Sequence, residues 1–67
     1  MEVLRKIMTW QKTDTDEQLI KDGLLLARIY WIGNMYACDI FPPGKPKFTI
    51  TEARAEQAKA WAEAAIA

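Results

Sequence analysis

Two dipeptides, Asp22-Gly23 and Gly33-Asn34, bracket the run LLLARIYWI at residues 24–32, and they constrain the fold more than any other feature of the chain. Asp-Gly is a type I′ turn signal, and Gly at the first central position fits type II′; both turns match the twist of paired strands. A strand with a two-residue turn at each end pairs antiparallel with the segment on either side of it. The second turn makes residues 35–41, MYACDIF, the returning strand and sets its register. Ile32 then faces Met35, Trp31 faces Tyr36, Tyr30 faces Ala37, Ile29 faces Cys38, Arg28 faces Asp39 and Ala27 faces Ile40. The opposite charges of Arg28 and Asp39 favour that register, because such a cross-strand pair is modestly stabilising.

Upstream of Asp22 two readings are open. Asp14 with Glu17 forms the capping box of a short helix that stops at Gly23, or residues 18–21 pair with the next run through the Asp22-Gly23 turn. The hairpin is preferred, since pairing Ile20 with Leu25 buries more than one helical turn would. Ile7, Thr9 and Trp10 favour a first strand at about residues 4–12. Downstream, PPGKPK at residues 42–47 is a loop, because prolines cannot donate to a ladder. The remainder, FTITEARAEQAKAWAEAAIA, reads as a helix: Thr49 and Glu52 form a capping box, Phe48 takes the staple position, and alanine recurs throughout. At 100° per residue Ile50, Ala58, Trp61, Ala62 and Ala65 share one side, with Trp61 as the large anchor and Arg54 directed into the stripe. Glu52, Glu56, Lys59 and Glu63 share the other. The expectation is a single α+β domain over residues 1–67, a three- or four-stranded antiparallel sheet with one C-terminal helix on one face.

The central hairpin holds more apolar bulk than one helix covers. One face carries Leu25, Ala27, Ile29 and Trp31 opposite Tyr36, Cys38 and Ile40, and is the expected core. The other carries Leu24, Leu26, Arg28, Tyr30 and Ile32 opposite Met35, Ala37, Asp39 and Phe41, apolar apart from one ion pair. A sheet with one face in water alternates cleanly, and this one does not. Either the neighbouring loop and N-terminal segment cover this face, or Leu26, Arg28, Tyr30, Ile32, Met35 and Phe41 bind a partner, a host protein or a second copy of the chain.

Composition limits the chemistry. At 67 residues, a chain buries only roughly 60% of its unfolded surface. Cys38 is the only cysteine and there is no histidine, which excludes an internal disulfide and a Cys/His zinc site. With no serine either, serine–histidine and cysteine–histidine nucleophiles are excluded. Cys38 reads as a small buried hydrophobe. The three glycines are isolated and make no phosphate cradle. Asp14, Asp16 and Glu17 are too few for an EF-hand loop and read as a solvated turn. No catalytic residue, metal or cofactor is expected. The zero net charge argues against a dedicated nucleic-acid binder and for association. The opening MEVLRKIM lacks the apolar core of a secretory signal, and no apolar run approaches the roughly 20 residues that span a bilayer. A soluble, cytoplasmic protein with no membrane partner is expected, and one unpaired cysteine suits a reducing compartment.

Two resemblances add to this reading. The stretches MTWQKTD, KDGLLLARIYWIGNMYACDIF and TITEARAEQAKAWAEAAI resemble short phage and prophage proteins with a small antiparallel sheet and an alanine-rich closing helix. That resemblance implies an accessory protein, including inhibitors of host or defence proteins, acting in the host cytoplasm. TITEAR, residues 49–54, is similar to the T-[LI]-x-E-A-R that opens a helix in the arm-type DNA-binding domains of tyrosine recombinases, where a sheet enters the DNA groove. This second resemblance implies DNA binding through the sheet face, by Arg28 or Tyr30. The strands here lack that family's strongly basic residues, so protein binding is the preferred reading and DNA binding the alternative.

Overall fold

The computed structural model describes residues 9–66. Five strands precede one helix: β1 (Thr9–Lys12), β2 (Glu17–Lys21), β3 (Leu24–Ile32), β4 (Met35–Ile40), β5 (Phe48–Glu52) and α1 (Ala55–Ile66). The strands form a meander in the order β1-β2-β3-β4-β5, each antiparallel to the next. The fold is therefore α+β, an antiparallel sheet with the C-terminal helix packed on one face. The part of the expected first strand before Thr9 lies outside the described residues.

Both tight turns form where the sequence places them. Asp22 and Gly23 have φ of 53° and 77°, the paired positive values that type I′ requires. Residues 17–21 are thus a strand, and Ile20 faces Leu25. At the second turn Gly33 has φ of 64°, as type II′ requires of its first position. All six expected β3–β4 pairs are present, from Ala27 opposite Ile40 to Ile32 opposite Met35. After β4, Lys45 N–H donates to the Pro42 carbonyl at 3.1 Å. Pro43 and Gly44, with φ of 73° at Gly44, supply the residues a type II turn needs.

The structure departs from the sequence expectation in several places, three of which reshape the core. First, Phe48–Glu52 is a fifth strand rather than the start of the helix. The segment FTITE alternates large or β-branched residues, which suits a pleated ladder. Pairing with β4 satisfies a whole strand edge, whereas a capping box satisfies only two donors. The helix instead starts at Ala55, and Ala58 N–H donates to the Arg54 carbonyl at 3.2 Å.

Second, the β2–β3 register shifts by one residue between Leu19 and Ile20. Leu19 faces Ala27 and Ile20 faces Leu25, so Leu26 is the extra residue of a β-bulge. The two leucines exchange roles: Leu26, expected outside, is buried in the core, and Leu25, expected inside, is exposed. Third, Trp61 is no anchor and is 53% exposed. With Ile50 in a strand, the centre of the helix stripe moves off Trp61 onto Ala58 and Ala62, both fully buried.

The core lies between α1 and the helix-facing side of the sheet. It comprises Leu19, Leu26, Ala27, Ile29, Cys38, Ile40, Ala58 and Ala62, with Trp10, Tyr36 and Ile50 packed against it. Small alanines let the helix axis approach the sheet closely. One flank of α1 is tied down by polar groups: Lys59 Nζ donates to Glu17 Oε2 at 2.8 Å, and Trp10 Nε1 donates to Glu63 Oε2 at 2.8 Å. Lys59 also sits 5.5 Å over the Trp10 ring. Two residues of the expected solvated face thus fasten the helix to β1 and β2. Trp31, expected in the core, is 54% exposed near the turn and meets Tyr36 edge-on, ring centroids 4.8 Å apart.

Candidate protein-docking face

Strand alternation places Gln18, Arg28, Asp39 and Thr49 in one row across β2, β3, β4 and β5, on the face away from α1. Every member of this row is polar. Asp39 is its hub and is buried. Its Oδ1 accepts from the Thr49 hydroxyl at 2.6 Å and from the Tyr30 hydroxyl at 3.3 Å. Arg28 Nε lies 3.7 Å from Asp39 Oδ2 and 3.8 Å from Asp16 Oδ2. Both distances are ion pairs too long to be hydrogen bonds, and Nε is a buried donor with no acceptor. The guanidinium carbon stands 4.7 Å over the Tyr30 ring. Stacking and two carboxylates therefore hold Arg28 in place, while 41% of its side chain stays exposed.

The acidic turn between β1 and β2 delivers the second carboxylate. Thr13 organises it: Asp16 N–H donates to the Thr13 hydroxyl at 3.0 Å, Thr15 N–H at 3.2 Å, and Thr13 N–H donates to the Asp16 carbonyl at 2.8 Å. The hydrogen bond from the Thr13 hydroxyl holds the Asp16 carboxyl below its ordinary value, against the opposing effect of burial, with help from Gln18 and Arg28. Behind this face Cys38 is buried among apolar groups, and that burial, with the nearby Asp39, pushes its thiol up to about 11. A thiol so protonated is no nucleophile at neutral pH. Among the described residues no three metal-ligating side chains converge.

Of the six residues expected to bind a partner, Arg28 and Tyr30 meet directly at the centre of this face. Ile32 and Met35 form a cross-strand pair beside the turn, with Ile32 46% exposed. Phe41 is half-buried just past β4, its N–H donating to the Leu26 carbonyl at 2.8 Å and Lys47 Nζ 5.8 Å over its ring. Leu26 does not belong to the face, for the bulge turns it into the core. Asp16 and Thr49 belong to the cluster, although sequence reasoning does not place them there. The Thr13–Asp16 spacing, which permits a side-chain-capped turn, is the available signal for Asp16. Thr49 carries none while its segment reads as helix.

A concavity of about 270 Å³ lies between the Thr13–Asp16 turn, the exposed Trp31, the half-buried Tyr36 and Ala55. It brings together the aromatic edges of Trp31 and Tyr36, the loop hydroxyls and the charged groups of Lys12, Asp14, Asp16 and Glu17. No protein-family model matches this chain, and neither a curated protein nor a solved structure resembles it significantly. No described helix is long and apolar enough to cross a membrane.

Proposed function

We propose that this chain is a non-enzymatic protein-binding module, an accessory or inhibitor protein of the kind the phage resemblance implies, working in the cytoplasm. Its docking face is the side of the sheet opposite α1. The observation that carries this reading is Arg28. Its Nε is dehydrated without an acceptor, its guanidinium is stacked on Tyr30, and two-fifths of its side chain remains exposed at the middle of the face. Arg and Tyr are the residue types that dominate binding energy when a partner seals them from water. The Arg28 Nη donors are offered to a carboxylate or backbone carbonyl of the partner. Ile32, Met35 and Phe41 supply the apolar surround.

The test compares proteins captured from host lysate by the wild-type chain, Arg28→Ala and Ile32→Asp. Ile32 is exposed beside a turn, so its substitution leaves the fold intact. A partner held by the wild type and lost with both variants supports the reading. Equal capture by all three removes it. A DNA gel shift that fades as salt rises would replace it with the nucleic-acid alternative, because phosphate contacts release counterions.

A further inference from the structure

We propose that β5 is a self-association edge through which two copies of this chain join their sheets antiparallel, with Trp61 of each copy closing over the seam. This surface is distinct from the docking face, and the inference does not depend on it.

The backbone phase of the sheet is set by the tight β3–β4 turn. A two-residue turn makes Ile32 and Met35 a hydrogen-bonded pair, and such pairs alternate along the ladder. The Phe41 N–H to Leu26 carbonyl bond falls in that phase. Ala37 and Asp39 thus direct their backbone groups to β3, and Tyr36, Cys38 and Ile40 direct theirs to β5. Their partners Glu52, Ile50 and Phe48 are satisfied by β4. The N–H and C=O groups of Thr49 and Thr51 then point away from the sheet, along the edge that ends the strand order.

Among the described residues, no element pairs with that edge beyond β4, and the strand itself is only lightly protected. Phe48–Glu52 contains no proline and no lysine, and its pairing with β4 shows no bulge. Self-pairing about Ile50 sets Thr49 of one copy opposite Thr51 of the other, so that each such pair exchanges both of its hydrogen bonds. It also lays the Lys45 and Lys47 end of each strand against the Glu52 and Glu56 end of the other, where Arg54 offsets only one of the two carboxylates. A parallel arrangement would set like ends together.

The helix completes the fit. Its polar flank, Lys59 and Glu63, turns toward β1 and β2. Its opposite flank, Gln57, Ala60, Trp61 and Ala64, lines with Glu52 a groove of about 350 Å³ on the β5 side. Strands about 4.8 Å apart put the two β4 strands of such a dimer roughly 14 Å from each other. Helices lying over β4 would be separated by that distance, wider than the 8–10 Å of direct helix contact. The exposed Trp61 indoles fill the difference, and Ala60 and Ala64 leave room for them.

Sedimentation velocity over a concentration series tests the proposal. The wild type should pass from monomer to dimer. Thr51→Pro removes an outward N–H that the fold does not use and should leave only monomer, with the circular dichroism spectrum unchanged. Trp61→Ala should weaken association by about tenfold or more. Ile50→Cys lies on the two-fold axis and should cross-link under mild oxidation, whereas Thr9→Cys on the opposite edge should not. A wild type that stays monomeric throughout overturns the proposal. So does a dimer that survives Thr51→Pro, or one abolished by Ile32→Asp instead.

Discussion

Asp39→Ala separates two accounts of what holds the outer face together. In the first, hydrogen bonds to a buried carboxylate do so; in the second, the Arg28 ion pairs do. Asp39 accepts a short bond from Thr49 at 2.6 Å and a long one from Tyr30 at 3.3 Å. A hydrogen bond to a charged group contributes about 1.5–3 kcal/mol, and a stretched one less. The Arg28 contact, at 3.7 Å with a side chain 41% exposed, is worth at most about 1 kcal/mol. Thr49 is exposed, so its hydroxyl recovers water when Asp39 is lost, and Arg28 keeps Asp16. The expected cost of Asp39→Ala is therefore about 2–3 kcal/mol. Arg28→Met, which retains the stem and leaves Asp39 its two hydroxyl donors, should cost under about 1 kcal/mol.

Urea unfolding followed by circular dichroism at neutral pH measures both. With a slope near 1 kcal/mol per molar, Asp39→Ala should lower the midpoint by roughly 2–3 M and Arg28→Met by less than about 1 M. Thr49→Val should fall between them, and Tyr30→Phe, which preserves the ring under the guanidinium, should lie nearest the wild type. If Arg28→Met destabilises as much as Asp39→Ala, the ion pairs govern the face and the hydrogen-bond reasoning is wrong.

Four further outcomes are expected. Ile40→Ala opens a void at a fully buried site and should cost about 2–5 kcal/mol, against less than about 0.5 kcal/mol for Ile32→Ala, both read from urea midpoints; equal costs would mean that the core is misplaced. Gly23→Ala meets no neighbouring atom and is penalised only for its positive φ, so it should cost about 1–2 kcal/mol, while a D-alanine made by synthesis should cost nothing. The lowered folded pKa of Asp16 means that its contribution is fully present above the unfolded carboxyl's 3.8 and disappears as pH falls through the folded value; Asp16→Asn should flatten the acid limb of a stability–pH curve and leave the alkaline limb alone. Cys38, buried and with its thiol raised to about 11, should resist iodoacetamide at pH near 8 in the native state and react readily in urea; comparable rates in both would contradict its burial.

The features readable in the sequence are those that short-range chemistry decides. Asp22-Gly23 and Gly33-Asn34 admit few backbone geometries, and a two-residue turn propagates its register down both strands, which is enough to set Arg28 opposite Asp39. The errors share a cause as well. Leu24, Leu25 and Leu26 are interchangeable in isolation, and only the match of β2 against β3 selects which one bulges. Thr49 and Glu52 satisfy a capping box as well as they satisfy a strand; the open edge of β4, ten or so residues away, decides between them. That single misreading displaces Ile50 into the helix, pulls the apparent stripe toward Trp61, and hides Thr49 from the cluster around Asp39.

The placement of bulk in this domain runs against stability of a lone chain. Alanine and cysteine take four of the core's central positions at Ala27, Cys38, Ala58 and Ala62, whereas Trp31, Trp61, Ile32 and Leu24 lie outside. Exchanging such groups would enlarge the core by several side chains at about 1.5–3 kcal/mol each. A chain of this length has little stability to forgo, roughly 3–10 kcal/mol in all. Leaving that much apolar surface in water is consistent with a surface that is dry when the protein acts. Two of the exposed groups lie where polar groups are free: Ile32 borders the Arg28–Tyr30 pair, and Trp61 borders the β5 edge. Each therefore sits beside donors or acceptors that the fold leaves unused, the Arg28 guanidinium in one case and the Thr49 and Thr51 backbone in the other. Apolar area joined to unsatisfied polar groups is what a specific contact requires, since the first supplies the driving force and the second the register.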